Sequence, residues 1–369
     1  EAEMALTSLL DDPHPAVRLA LARELATAPN APHHLVVALA NDKPEIAAPV
    51  LAGSPRLTDS DLVECAAVGD ASVQAAIARR PRLAGPICAA IAEVGAREAV
   101  VALVRNDGAE LPAFALERVV ARFGEDGETR EALLGRPDLT PALRVRLVDA
   151  AATALSRFVV SCAWLSDERA QRAAREAREK ATIQVAADSA DAPDGAAMLV
   201  RCLRAQGQLT AGLALRALVS GNRRLFEATL AELSGVARQR VAGHVANWRG
   251  GGFSALYARA GLPPALAPAF RAALAAQEEC GFVDKPGDSA RLSRLMIERV
   301  LTACERDGGE SLAPVMSLLR RFEAEAAREE ARELSETVAR ETAAAAPPRP
   351  KRPPPVIAQL RSRILSQAA

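Results

Sequence analysis

Short apolar runs with a helical period alternate with polar, proline-bearing turns through the first 150 residues of the chain. In runs such as SDLVECAAVGD and FALERVVARFG, apolar side chains recur at i, i+3, i+4 and i+7, which is the period of one face of an α-helix. Pro29, Pro55 and Pro81 stand 26 residues apart in similar sequence frames. The pattern therefore predicts pairs of short helices that repeat about every 26 residues.

Helices this short need neighbours, because an isolated helix of about nine residues is marginal in water. Stacked pairs would bury their apolar stripes in one continuous interior, as in an α-solenoid. Alanine fills 82 of the 369 positions, and its small side chain lets helix axes approach closely. We predict an all-α fold, in which an α-solenoid of short helical pairs over residues 1–150 is followed by a helical C-terminal block and a disordered tail.

Turn sequences predict where individual helices begin. Thr58 precedes LVECAAV and Thr140 precedes Pro141, so each threonine is expected to cap the helix that follows it. Three acids at the ends of repeats are expected to cap helices and not to act as catalytic acids: Asp42, Asp70 and Asp126.

The chain changes character after residue 150. Residues 151–187 contain SDERAQRAAREAREKA and are predicted to form a charged, solvated helix that links two domains, with a partner-binding face as the alternative. Residues 188–341 are predicted to form a helical C-terminal domain. Gly207, Gly221 and Gly235 follow apolar-periodic runs and are predicted to end helices.

The tail, residues 342–369, differs in composition from the rest of the chain. AAAAPPRPKRPPP favours extended polyproline II, and VIAQLRSRILSQAA favours a short amphipathic helix. After Glu341 the chain has no acidic residue and five basic ones, whereas residues 1–341 carry a net charge of −5. A docking peptide is one interpretation; a solubilising end with a frayed helix and a weak membrane-surface anchor are the others. The predicted partner-binding residues are Arg349, Lys351, Arg352, Val356, Ile357, Leu360 and Ile364.

Candidate chemistry is sparse. The six cysteines form no C-x-x-C motif, so most are expected to be small buried side chains in a reducing compartment, which favours a cytoplasmic location. His33 and His34 are adjacent, and neighbouring residues on a helix point about 100° apart, so both cannot easily bind one ion. Trp164 and Trp248 are expected to anchor the core. We predict no catalytic residue, no cofactor and no metal site.

Two resemblances support the repeat interpretation. The opening unit, DPHPAVR, resembles the D-x-x-x-x-V-R signature of HEAT-like repeats, and the block as a whole is similar to leucine-rich-repeat-variant units. The resemblance implies a ladder in which residues of the Asp12 and Arg18 type bond between adjacent repeats. Ala47 and Ala48 stand where the second unit would need its Val-Arg pair, so the ladder is expected to be interrupted there.

A second resemblance covers roughly residues 10–285. LTAGLALRALVSGNRRLFEATLAELSGV and LYARAGLPPALAPAFRAAL look like the C-terminal half of a bacterial family known as domain of unknown function 2336. The resemblance implies an all-helical, repeat-bearing protein, and it supplies no reaction or cofactor.

These observations favour a cytoplasmic, non-catalytic scaffold or adaptor that binds a partner protein through the solenoid surface and the tail. A nucleic-acid-binding repeat protein is an alternative, because 42 of the 46 basic residues are arginine, but the zero net charge argues against nucleic acid as a partner. An enzyme with an unrecognised site is the third alternative. No run approaches 18 consecutive apolar residues, so membrane contact is expected to be peripheral at most.

Overall fold

The computed structural model describes residues 2–189, 194–280, 289–307 and 313–345, and every regular element in these ranges is a helix. The predicted all-α class is confirmed. The first ten α-helices are α1 (Ala2–Leu10), α2 (Pro15–Leu25), α3 (His33–Ala40), α4 (Pro44–Gly53), α5 (Asp59–Val68), α6 (Ala71–Ala78), α7 (Gly85–Val94), α8 (Arg97–Val104), α9 (Ala113–Phe123) and α10 (Gly127–Leu134). The remaining ones are α11 (Pro141–Ser161), α12 (Asp167–Asp188), α13 (Gly195–Ala205), α14 (Ala211–Val219), α15 (Arg223–Ser234), α16 (Arg238–Ala246), α17 (Gly251–Arg259), α18 (Ala267–Cys280), α19 (Ser289–Asp307) and α20 (Ala313–Ala345), with a 3-10 turn at Pro264–Leu266.

The described residues fall into two units, one within Glu1–Ala217 and Asn222–Ala246 and the other within Leu218–Gly221 and Asn247–Ala369. The predicted divisions at residues 150, 187 and 341 separate stretches of different sequence character. They stay a prediction about domains, which limited proteolysis can test.

Helices α1 to α10 form two layers within the first unit. Helices α3, α5 and α7 begin 26 residues apart, as the prolines predict, and α9 begins 28 residues after α7. The odd layer contains α1, α3, α5, α7 and α9, and the even layer contains α2, α4, α6, α8 and α10, with each even helix packed on the next even one. One continuous apolar core runs through both layers from Leu21 to Leu147. Since each short helix buries only one stripe, stacking supplies the stability that a single pair lacks.

Most of the predicted caps are present. The Thr58 hydroxyl accepts from the backbone N–H of Asp61, and Asp70, Asp126 and Thr140 each accept from a backbone N–H in the first turn of their helices. The prediction for Asp42 is wrong. Pro44 occupies the first position of α4, so Lys43 becomes the capping residue and Asp42 lies one position outside the helix, where it accepts from Arg18.

The C-terminal ends of helices in a layer are tied together by side chains, which we call C-terminal ties. Arg80, just after α6, donates to the carbonyl oxygens of Leu51 and Ser54 at the end of α4, both at 2.7 Å. The positive guanidinium thereby satisfies two carbonyls at the negative end of the helix dipole. Asn106 caps α6, Arg122 caps α7 and Arg136 caps α8 in the same manner.

The N-terminal ends of even helices are also tied, in part as the HEAT-like resemblance implies. Arg18 on α2 donates to Asp42 at 2.6 Å, and Arg97 on α8 donates to Asp126 at 2.9 Å. Between them Gln74 takes the arginine's place and accepts from the backbone N–H of Ala96 at 2.8 Å. The bonds are present, while membership of the HEAT-like class itself stays a prediction.

The ladder is interrupted at α4, where Ala47 and Ala48 stand. Asp70 makes its hydrogen bonds to the N–H groups of Ser72 and Val73 in its own helix instead. The interruption agrees with the sequence.

Residues 151–187 do not form one linking helix. They contain the end of α11, a turn at residues 162–166 and most of α12, and the two helices pack against each other as a hairpin. The small side chains of Ala170 and Ala174 face this contact and are buried, because the charged residues of α12 are spaced so that one stripe is alanine. Gly207, Gly221 and Gly235 all have positive φ, which confirms them as helix stops.

The second unit has its own core. Tyr257 stacks edge-on against Phe270 with ring centroids 5.5 Å apart, and its hydroxyl donates to the carbonyl of Pro263 at 2.7 Å. Helix α19 packs on α18 and on α20, and the first part of α20 buries Val315, Leu319 and Phe322.

Candidate partner-binding cleft

The predicted partner-binding residues of the tail, from Arg349 to Ile364, lie outside the described residues. The described part of the solenoid surface offers a different candidate, a cleft between α3 and α5 in the odd layer. It has a volume of about 300 Å³. Its lining residues are Val37, Ala40, Asn41, Leu57, Asp61, Glu64, Cys65, Ala67 and Val68.

Helical spacing explains which side chains line the α3–α5 cleft. Asp61, Glu64, Cys65 and Val68 stand at i, i+3, i+4 and i+7 on α5, so they share one face. Leu57 is buried at the floor, while Val68 at the rim is 84% exposed. The cleft thus combines an apolar floor with an acidic rim.

Asp61 belongs both to the N-terminal cap of α5 and to the lining of the α3–α5 cleft. Partial burial on its own would raise the pKa of Asp61, but hydrogen bonds from the side chain and N–H of Thr58 and from His33 outweigh it and lower the pKa. The distance from His33 Nε2 to Asp61 Oδ2 is 2.9 Å, which ties α3 to α5 at one end of the cleft. Asp61 is therefore a fixed negative charge at neutral pH.

Cys65 is not suited to nucleophilic chemistry. Burial raises the pKa of its thiol, and the nearby charges of Asp61 and Glu64 raise it further. A thiol held in its protonated form is a poor nucleophile. Cys65 and Cys88 are buried as predicted, whereas Cys162 and Cys202 are partly exposed.

The two adjacent histidines face different helices. His33 contacts Asp61 on α5, and His34 Nδ1 lies 3.6 Å from Glu3 on α1. Their divergence follows from the helical twist, as the sequence indicates. Within residues 2–189, 194–280, 289–307 and 313–345, no group of three or more His, Cys, Asp or Glu side chains is placed to hold a metal ion.

A second, smaller cavity of about 120 Å³ lies beside a buried ion pair in the first unit. Arg216 Nε donates to Glu179 Oε2 at 3.3 Å, and Thr210 donates to the other oxygen at 3.4 Å. Burial raises the pKa of Glu179, and the charge of Arg216 opposes that rise without cancelling it. No candidate general base stands beside Glu179 among the lining residues, so the pair is best explained as a link between α12 and α14.

The sequence pattern predicts neither the α3–α5 cleft nor the role of the arginines. The cleft has no motif, because it arises where two odd-layer helices separate. The only available indication was the acidic pair on a face that is otherwise apolar, as Asp61 and Glu64 interrupt the stripe of α5.

Comparison with known proteins supplies the family. A family model described as uncharacterised protein conserved in bacteria (DUF2336) matches residues 46–308, which agrees with the resemblance noted in the sequence. No curated protein and no solved structure matches the chain. Of the helices in the described ranges, none combines the length and the apolar character needed to cross a bilayer.

Proposed function

We propose that this chain, which belongs to the family described as uncharacterised protein conserved in bacteria (DUF2336), is a non-catalytic scaffold that binds a partner protein in the cytoplasm. The observation that supports this most directly is the α3–α5 cleft, whose floor is apolar and whose rim carries Asp61 and Glu64. A site of this kind offers binding area and fixed charge.

The chemistry of the cleft indicates the kind of partner segment it would take. A cleft of about 300 Å³ with an apolar floor accommodates a few side chains of an amphipathic helix. Basic residues beside those side chains would meet Asp61 and Glu64 at the rim. The partner segment is therefore an amphipathic helix with a basic flank.

The ties between repeats suit the layers to scaffolding. The C-terminal and N-terminal ties connect the successive helices of the even layer from α2 to α10, and in the odd layer they connect α7 with α9, so a partner would meet a preorganised surface. Preorganisation lowers the entropic cost of binding.

The tail contributes a second contact in this proposal. Arg349, Lys351 and Arg352 would provide charge, while Val356, Ile357, Leu360 and Ile364 would provide an apolar stripe. The proline-rich stretch ahead of that stripe would act as a spacer.

The arginine excess has a structural explanation, which weakens the nucleic-acid alternative. Arg80 and Arg122 each cap two carbonyl oxygens, and Arg136 caps three and pairs with Asp138. A planar guanidinium presents five N–H donors in a fixed fork that suits such paired bonds, whereas an ammonium has three donors on a flexible stem. The preference for arginine over lysine therefore does not require a phosphate partner.

The test is affinity capture with variants of the cleft, followed by a binding titration with the captured protein. Val68→Glu and Glu64→Lys place charge on exposed positions, so both variants should keep the fold and bind the partner at least about tenfold more weakly. Val94→Glu is the matched control, because Val94 ends α7 as Val68 ends α5. A partner that binds all three variants equally well excludes the α3–α5 cleft, and deletion of residues 343–369 tests the tail separately.

A further inference from the structure

The far end of the α11–α12 hairpin exposes four large apolar side chains, which we call the hairpin tip: Leu155, Phe158, Trp164 and Leu165. Trp164 is 68% exposed, Leu155 62% and Phe158 54%. The expectation that Trp164 anchors the core is wrong, and Trp248 is only partly buried, with its ring N–H donating to Glu278. Adjacent large apolar residues that stay exposed together usually mark an interaction site.

The turn between α11 and α12 fixes the geometry of the hairpin tip. Ala163 has φ of 56°, and the N–H groups of Ala163 and Trp164 donate to the carbonyls of Val160 and Val159. These bonds form a Schellman cap, which places Trp164 against Phe158 with ring centroids 5.6 Å apart. The cap explains why the two rings meet. It does not explain their exposure, since a smaller apolar residue would complete the same cap.

The size of the hairpin tip sets the kind of interface it can form. An aromatic side chain buries about 150–250 Å² in all, so the exposed parts of the four side chains amount to roughly 400 Å². Two such surfaces give an interface below about 1,200 Å², which is the range of weak, reversible complexes.

The rim of the hairpin tip carries both signs of charge. Arg157 lies on α11, and Asp167, Glu168 and Arg169 lie in the first turn of α12, all of them exposed. Within the described residues, Arg157 and Glu168 form no ion pair, so both are available to a partner. A two-fold axis would let Arg157 of each copy meet Glu168 of the other, because an isologous interface matches one surface with itself.

We propose that the hairpin tip is a self-association surface, against which a second copy of this chain packs its own tip to give a four-helix arrangement. In four-helix bundles, helical hairpins bury their exposed apolar side chains against one another. The charges favour this occupant over two others. The only charged residues of the tail are basic, so the tail could pair with Asp167 and Glu168 but would leave Arg157 and Arg169 unmatched, whereas a second copy matches both signs. An anionic bilayer would not attract a rim with no net charge. The surface is separate from the α3–α5 cleft and does not depend on the proposed scaffold function.

Sedimentation velocity of the full chain tests the proposal across about 5 to 200 µM, where an interface of this size should associate. The sedimentation coefficient should rise with concentration. Trp164→Glu should shift the association by at least about tenfold towards monomer. Phe114→Glu is the matched control, since it places the same charge at an aromatic position on α9 that is 63% exposed and should leave the association unchanged.

Charge reversal identifies the contact. Arg157→Glu and Glu168→Arg should each weaken self-association, and an equimolar mixture of the two variants should restore it, because unlike charges then face each other. The proposal is overturned if the wild-type chain stays monomeric throughout, or if Trp164→Glu and Phe114→Glu behave alike. It is also overturned if removal of residues 343–369 abolishes association, which would make the tail the occupant, or if the tip binds anionic vesicles and no second copy.

Discussion

Arginine does different work in the layered block α2–α10 and in the long helix α20. In the layered block, arginines bond to residues 24–32 positions away and join one repeat to the next. In the last turns of α20, Arg332 and Arg340 pair with Glu336 four positions away in the same helix. The first kind of bond stabilises the tertiary structure, whereas the second lies on the surface of a solvated helix and contributes little to stability. Composition alone does not distinguish them.

Substitution of Arg136, in the layered block, should change the free energy of unfolding more than any other substitution considered below. Its side chain is 10% exposed, reaches three carbonyl oxygens from Val104 to Ala109 and pairs with Asp138 at 2.7 Å. We expect Arg136→Ala to lower the free energy of unfolding by about 3 kcal/mol, because buried acceptors lose their donors. Chemical denaturation measures this.

The variant Arg136→Lys sharpens the test of the arginine ties. It keeps the charge and loses the planar fork, so we expect the free energy of unfolding to fall by roughly half as much as in Arg136→Ala. Equal stability of Arg136→Lys and wild type would show that charge alone ties these repeats.

Asp126 should show an intermediate effect that depends on pH. A hydrogen bond from Arg97, followed by bonds from the N–H and hydroxyl of Thr129, lowers the pKa of Asp126 from 3.8 to about 2. Because the folded-state pKa is the lower one, the stabilisation is present above pH 3.8 and is lost as pH falls towards 2. We expect Asp126→Asn to cost about 1 kcal/mol at pH 7 and the difference from wild type to shrink as pH falls below 3.8 and to vanish below pH 2.

Urea unfolding at several pH values measures the Asp126 effect. Asp107→Asn, in an exposed loop of the same block, is the control and should change the free energy of unfolding little at pH 7. A difference between Asp126→Asn and wild type that persists unchanged at pH 2 would contradict the assignment.

Arg332 should show the smallest effect, on the other side of the comparison. Its bond to Glu336 is 3.0 Å long, but the arginine side chain is 72% exposed. We expect Arg332→Ala to change the free energy of unfolding by less than about 0.5 kcal/mol, since exposed i,i+4 pairs contribute little. A loss comparable with that of Arg136→Ala would remove the distinction between the two regions.

Much of the secondary structure could be predicted from the sequence, and the candidate surfaces could not. The step of 26 residues, the caps at Thr58 and Asp70 and the glycine stop at Gly235 all follow from local chemistry. The capping residue of α4 differs from the predicted Asp42 because Pro44 moves the start of the helix by one residue. Trp164 is exposed and not, as the sequence predicts, in the core, because the residues around a tryptophan do not show whether another layer covers it.

The sequence by itself determined the helical class, the step of the repeats and the place where the ladder is interrupted. Each of these depends on spacing within a single turn or a single repeat, where backbone hydrogen bonding and side-chain period act locally. Only the tertiary structure decided which arginines cap a neighbouring helix, where α3 and α5 separate and which apolar residues stay exposed at the hairpin tip. The first two outcomes depend on the distance between segments some 25 residues apart, which is set when the layers pack together. The third depends on whether another segment covers the tip.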